Sequence, residues 1–381
     1  MTQRSLPIDS LKALAAGLIV LHHLAFYGPM ADHVLPLAPG VGAWLADDAR
    51  MAVQVFLVIG GYLAARSLAP TGSLGNAALS GVLWSRFLRL VLPYHVILLI
   101  AIAGNEAARS LMAHESISAP ATLDQFVAHA LLLQDILGYE SLSAGLWYVA
   151  IDMQLFLLMA ALLGLGRFTD SVARQAYPGW RINSSIVMVV LAGLSSLYYF
   201  NRDYRWDAWA AYHFGAYALG ALVWWASGQT RALAWLAAIT AGATGALLVV
   251  FRERLVLALV VALLLGVVAL RRRHAQPPVH RLSRPPGALA RAIHGSARIS
   301  YSLFLVHFPV CLVVNAAVSR FLPLTAGWQF LGVGIAFAAS VAAAAVFHAH
   351  VEAPLLRWLG GRRSGVCSTV PISDRKRFPR L

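Results

Sequence analysis

Roughly ten times along its 381 residues the chain enters a stretch of about 20 mostly apolar residues, the length a helix needs to cross hydrocarbon. The stretches fall near residues 10–28, 50–68, 88–104, 142–165, 184–200, 207–226, 232–250, 255–270, 299–319 and 326–349, separated by polar or Pro/Gly-containing connectors. Inside a bilayer no water satisfies backbone amides, so such segments must form helices that bond within themselves. The expected fold is therefore all-α, a polytopic membrane bundle of about ten transmembrane helices with both termini cytoplasmic. Composition agrees. Hydrophobic residues make up 59% and charged residues only 12%, and the mean hydropathy is +0.69, beyond the range of ordinary soluble domains. The third stretch carries Pro93 near its start. The run FVAHALLLQDIL (126–137) is too short to span and suits a re-entrant or interfacial helix. The first stretch reads as a retained helix rather than a signal peptide, because Asp9 and Lys12 lie close to it and no small-residue cleavage site follows.

A formal net charge of +14 raises the question of nucleic acid, and the placement of the basic residues answers it. With the amino terminus in the cytoplasm, only Arg50, Arg109, Arg202, Arg205, Arg252, Arg254 and Arg320 fall outside. The other 23 of the 30 Lys and Arg residues fall inside. The positive-inside rule explains that asymmetry and supports an even number of spans, which leaves a nucleic-acid partner unnecessary. Residues 1–359 are expected to form the transmembrane unit, and 360–381 a basic, mobile cytoplasmic tail. Cys311, inside the ninth stretch, and Cys367, in the tail, are not expected to meet as a disulfide. The longest connectors, 105–141 and 271–298, hold no soluble catalytic domain, so any chemistry must use the bundle and its edges.

An ionisable side chain near the bilayer centre costs several kcal/mol, so each one needs a partner, a cavity or a function. The apolar stretches contain few polar residues: His22, His23, Asp152, Gln154, His213, His307 and Asn315. Successive helical residues differ by about 100° around the axis, so His23 returns to within about 20° of the Lys12 face, whereas His22 lies roughly 80° from it. Asp9 shares the same stripe, about 40° from His23. At about 1.5 Å per residue, His23 lies roughly 16 Å beyond Lys12, and Asp152, entering from the other face, is about 15 Å deep. His307 is roughly 12 Å deep from the inner face, so His23, Asp152 and His307 can form a mid-membrane cluster. The natural pair is His23 with Asp152: the carboxylate would orient the ring and leave its other nitrogen as a base or nucleophile. For His22 and His213 a plain interhelical hydrogen bond is an equal reading. In SRFLRLVLPYH (85–95), Arg86 and Arg89 stand one turn apart and suit either a phosphate or anionic lipid headgroups. A relay of membrane His and Asp residues also fits a proton-coupled transporter, although no repeated hydropathy pattern or pair of interrupted helices favours it.

Six motifs in order resemble the membrane acyltransferase-3 family, integral membrane O-acyltransferases. SLPIDSLKALAAGLIVLHH resembles its opening, an Asp-x-x-Arg element followed, after ten intervening residues, by a histidine. VFLVIGGYL (55–63), which contains Gly61, resembles its Phe-Phe-x-x-Ser-Gly-Phe motif, and RFLRLVLPYH its Arg-x-x-Arg-x-x-x-Pro element. LWYVAIDMQLF (146–156) resembles Leu-Trp-x-x-x-x-Glu-x-Gln-Phe. SYSLFLVHFPV (300–310) and VEAPLLR (351–357), with Glu352, resemble the closing Ser-Tyr-x-x-Tyr-x-x-His-x-Pro and Glu-x-Pro elements. Four positions depart from the pattern: Lys12 stands for Arg, Asp152 for Glu, Gly60 for Ser, and Val306 where an aromatic is frequent.

The resemblance implies a ten-helix bundle that transfers an acyl group, acetyl or succinyl, from cytoplasmic acyl-CoA to a hydroxyl of a glycan or lipid-linked glycan acceptor. Acyl-CoA would be a co-substrate, with no permanently bound cofactor and no metal. The implied setting is a bacterial inner membrane, with membrane lipids as neighbours and self-association left open. Carried over by motif, His23 would be the catalytic base or acyl relay, assisted by Asp152, and Lys12, Arg86 and Arg89 would receive acyl-CoA. Trp147, Tyr148, Tyr301 and His307 would line the acceptor pocket, while Asp9, Gly61 and Glu352 would be structural.

Overall fold

The structure, a computed structural model, describes residues 5–75, 79–274 and 287–366, with side chains described as far as residue 359. The first part of the expected tail, 360–366, continues as helix, whereas 367–381, with Cys367, and Arg281 and Arg284 lie outside the described residues. Every described element is helical, in the order α1 (Leu6–Phe26), α2 (Pro29–Val34), α3 (Pro39–Asp47), α4 (Val53–Leu68), α5 (Leu79–Leu111), α6 (Leu123–Ala130) and α7 (Leu146–Ala176). There follow α8 (Ser184–Tyr198), α9 (Ala210–Ala226), α10 (Ala232–Val249), α11 (Glu253–His274), α12 (Ala288–Phe321), α13 (Ala326–Phe347) and α14 (Ala353–Val366). Nine helical segments among the described residues are long and apolar enough to cross a membrane. Helix α9 supplies the tenth apolar stretch: its 17 residues reach about 26 Å and are buried on nearly every side. The chain is an integral membrane helix bundle.

Close backbone approach joins α4 to α9. A Cβ on Gly61 would collide with the Tyr217 carbonyl, and one on Gly220 with the Val58 carbonyl, so the two helices meet almost backbone to backbone. Without a hydrophobic drive between helices in lipid, small residues at such seams let dispersion forces hold the bundle. Helix α12 is the other hub, packed by α13, α1 and α5. The long helices α5, α7 and α12 have 33, 31 and 34 residues, more than the roughly 20 that hydrocarbon requires.

Helix α5 runs unbroken through Pro93. Proline withdraws one amide donor from the preceding turn, and the Tyr301 hydroxyl, from α12, donates to the Leu90 carbonyl there at 2.8 Å. The short segment expected at 126–137 contains the end of α6, an eight-residue helix started by a capping box between Thr122 and Gln125, followed by turns. After α13 the chain widens into a π turn over His348–Glu352. That turn aims Glu352 inward, where it accepts from the Ser302 hydroxyl at 2.6 Å and pairs with His348 Nδ1 at 2.9 Å.

Candidate active site

Helices α1 and α12 cross with His23 facing His307, and the nitrogens His23 Nδ1 and His307 Nε2 lie 2.6 Å apart. Their ring planes differ by 4° with centroids 4.8 Å apart. A face-to-face stack would not bring two ring nitrogens so close at that centroid distance, so the rings meet edge to edge, as an in-plane hydrogen bond requires. The other nitrogen of His307, Nδ1, lies 3.0 Å from the Leu303 carbonyl. A carbonyl only accepts, so that nitrogen carries the proton, and Nε2 of the neutral ring is left as an acceptor. His23 Nδ1 must then donate to it. By elimination, His23 Nε2 holds a lone pair.

His23 forms part of the wall of a cavity of about 890 Å³, with Tyr27, Trp147, Ile151, His213 and Phe304. Asp48, Arg50, Asp135, Asp207 and Arg252 from the connectors, with Arg254 at the start of α11, form its rim. Those loops carry the arginines that the charge pattern assigns to the outer side, so the cavity is a vestibule at that end of the bundle. Two of its arginines are held by neutral groups. Arg252 donates to Asn201 Oδ1 at 2.8 Å and to the Leu197 carbonyl at 2.9 Å, and Arg254 donates to the Asn201 carbonyl at 2.7 Å and to the Tyr212 hydroxyl. Among the described residues, none of Asp48, Asp135 and Asp207 forms a salt bridge. Burial raises the Asp135 carboxyl above its ordinary range, and the nearby Asp207 charge adds to the shift.

A second polar pair joins α5 to α7. Arg86 Nη2 donates to Asp152 Oδ2 at 2.6 Å, and the guanidinium lies over the Phe156 ring, 4.9 Å from its centroid. The expected pairing of His23 with Asp152 is thus replaced by two separate pairs. The long reach of Arg86 satisfies the carboxylate across the α5–α7 boundary, and the imidazole finds its acceptor on α12 instead. Phe304 and Tyr148, with rings 5.0 Å apart, stand between the two pairs. Phe304 adjoins His307 at 6.1 Å, and Tyr148 is one turn from Asp152 on α7.

A family model described as an acyltransferase domain matches residues 7–348. The chain belongs to the acyltransferase-3 family. No curated protein and no solved structure matches it.

The remaining motif positions of this family member are placed as follows. Lys12 is half-buried on α1, while Arg89 is exposed on α5, one turn from Arg86. Asp9 pairs with His294 Nδ1 at 2.6 Å, tying α1 to the start of α12. Trp147 lies beside His213, with ring centroids 5.8 Å apart and planes tilted by 33°, and Tyr301 anchors α12 to α5. His22 points away from the seam and its Nδ1 lies 3.0 Å from the Leu45 carbonyl, while His213 Nε2 donates to the Asp207 carbonyl at 2.9 Å. Gln154 clamps the entrance of α9, donating to the Ala208 carbonyl and accepting from the Ala210 amide. Asn315 holds the turn after α1: it accepts from the Met30 amide and donates to the Tyr27 carbonyl, beside Gly28, whose φ of +90° suits glycine. Helical arithmetic does not reach the rim carboxylates Asp48, Asp135 and Asp207, because they lie on connectors; their acidity within an outer loop was the one signal that could have marked them.

Proposed function

We propose that this acyltransferase moves an acyl group, acetyl or succinyl, from cytoplasmic acyl-CoA to a hydroxyl of a glycan or glycolipid acceptor in the outer vestibule of a bacterial inner membrane. The observation that supports this reading is the chain from the Leu303 carbonyl through His307 to His23, which leaves His23 Nε2 basic at the wall of an open cavity. In the proposed reaction His23 Nε2 takes the proton of the acceptor hydroxyl as its oxygen bonds to the thioester carbonyl carbon. The carbon–sulfur bond then breaks, and the departing CoA sulfur takes the proton from His23. The His307 lone pair supports the imidazolium through its hydrogen bond to Nδ1.

Arg86, Arg89 and Lys12 are the proposed receivers of acyl-CoA, whose phosphates call for guanidinium or ammonium groups. Asp152 positions Arg86 rather than His23. Trp147 is the proposed acceptor platform within the vestibule, and Tyr148 with Phe304 flanks the route between the thioester and the dyad. The test is CoA release and acyl transfer by the purified protein in vesicles, with acetyl-CoA and a hydroxylated acceptor. His23→Ala is expected to slow release by about 10²–10⁴-fold with an unchanged melting temperature. Release at the wild-type rate by that variant would remove the enzymatic reading, and CoA-independent solute uptake would favour a transporter.

A further inference from the structure

Far from the dyad, α8, α9 and α10 enclose a cleft of about 720 Å³ whose floor is made of small residues, among them Gly193, Ala218 and Gly242. Its walls are apolar, and its polar lining sits at one end, where Arg181 and Gln229 stand. That end joins the connectors before α8 and α10, on the side the charge pattern assigns to the cytoplasm. From Val187 to Leu197, both in the lining, α8 rises about 15 Å, half of a hydrocarbon core of roughly 30 Å. The cleft therefore has the depth of one leaflet. Helix α10, one of its walls, is the least buried of the nine candidate spans, so the cleft faces the membrane rather than the vestibule.

We propose that this cleft is a binding site for one anionic phospholipid of the cytoplasmic leaflet, an acyl chain along α8 and α10 and the phosphate on Arg181. Charge complementarity selects the headgroup. Arg181 is exposed at the mouth and forms no hydrogen bond or ion pair among the described residues, so its guanidinium fork is available to a phosphate. The single-leaflet depth selects a membrane phospholipid of that side over a ligand entering from the outer vestibule. Such a lipid would brace α10 against α9, a contact the protein itself makes only loosely.

The experiment is native mass spectrometry of the full chain taken from vesicles of equal phosphatidylglycerol and phosphatidylcholine. Wild type is expected to retain one phosphatidylglycerol, several-fold in preference to phosphatidylcholine. Arg181→Gln should abolish the preference and Arg181→Lys should keep most of it. Ala238→Phe, which fills the cleft from an exposed position on α10, should lower lipid retention as a whole. Equal retention of both lipids by wild type, or a preference unchanged in Arg181→Gln, would overturn the proposal. If Ala238→Phe fails to fold, Arg181→Gln decides alone, since Arg181 lies on an exposed connector.

Discussion

The two polar pairs of the bundle, His23–His307 and Arg86–Asp152, solve the problem of burial in opposite ways. The histidines are 8% and 0% exposed, carry no formal charge when neutral, and share one proton path that ends on a backbone carbonyl. Arg86 and Asp152 keep 28% and 11% of their side chains exposed, carry full charges and cancel each other. Had the carboxylate faced His23, it would have favoured the imidazolium and occupied the ring in an ion pair. Given to Arg86, it leaves the imidazole neutral and one nitrogen basic. The difference teaches that the Asp on α7 balances the cation on α5, and that in the proposed mechanism a histidine on α12, not this carboxylate, would support the base.

The largest expected effect tests the charged pair. Asp152→Asn leaves Arg86 facing an amide, and should cost about 2–3 kcal/mol of unfolding stability, the lower end for a broken buried pair because Arg86 keeps some solvent. Replacing both, as Arg86→Met with Asp152→Leu, should cost less than the single change, because no uncompensated charge remains. Reversible unfolding in mixed micelles measures both. If the single variant proves as stable as wild type, the pair is not the balance of charge described above.

The membrane itself made the fold legible. Each apolar stretch had to become a helix, and all ten did. The separation of His22 from His23 was legible too, because helix geometry fixes it: His23 enters the α1–α12 seam and His22 turns to the Leu45 carbonyl. The choice of partner was not. His23, Asp152 and His307 lie at depths similar enough for any pairing, His307 is 284 residues from His23, and the decision fell to the reach of Arg86 from a fourth segment. The vestibule rim was hidden for a related reason. Asp48, Asp135, Asp207 and Arg252 come from four connectors whose meeting depends on the tertiary fold and not on any spacing along the chain.

The next effect tests the neutral pair. His307→Ala removes the acceptor of the His23 Nδ1 proton and frees the ring to rotate or to change tautomer, so kcat should fall about 10–100-fold with little change in KM. His307→Gln offers a carbonyl oxygen in the same region and should recover much of that loss. Steady-state CoA release at saturating acceptor separates the two variants. Equal rates for Ala and Gln would mean that His307 fills space without fixing the tautomer of His23, and the contrast with Arg86–Asp152 would then reduce to packing.

The smallest effect lies at the vestibule rim, where Asp135 stands without the arginine that Asp152 has. Burial and the Asp207 charge raise its carboxyl above the ordinary value of 3.8. A carboxyl whose folded pKa is raised contributes its stability below the unfolded value and loses it as pH rises through the folded one. At neutral pH the ionised Asp135 is therefore a liability, and Asp135→Asn should raise the melting temperature by about 1–2 °C, a figure kept small by the partial exposure of the loop. The gain should shrink as pH falls toward the ordinary carboxylate range, where wild-type Asp135 is itself protonated. Melting curves of the two proteins between neutral and mildly acidic pH measure the gap. A gap that stays constant or widens on acidification would show that neither burial nor the Asp207 charge raises the Asp135 carboxyl, and that the contrast with the Arg86-paired Asp152 does not extend to the rim.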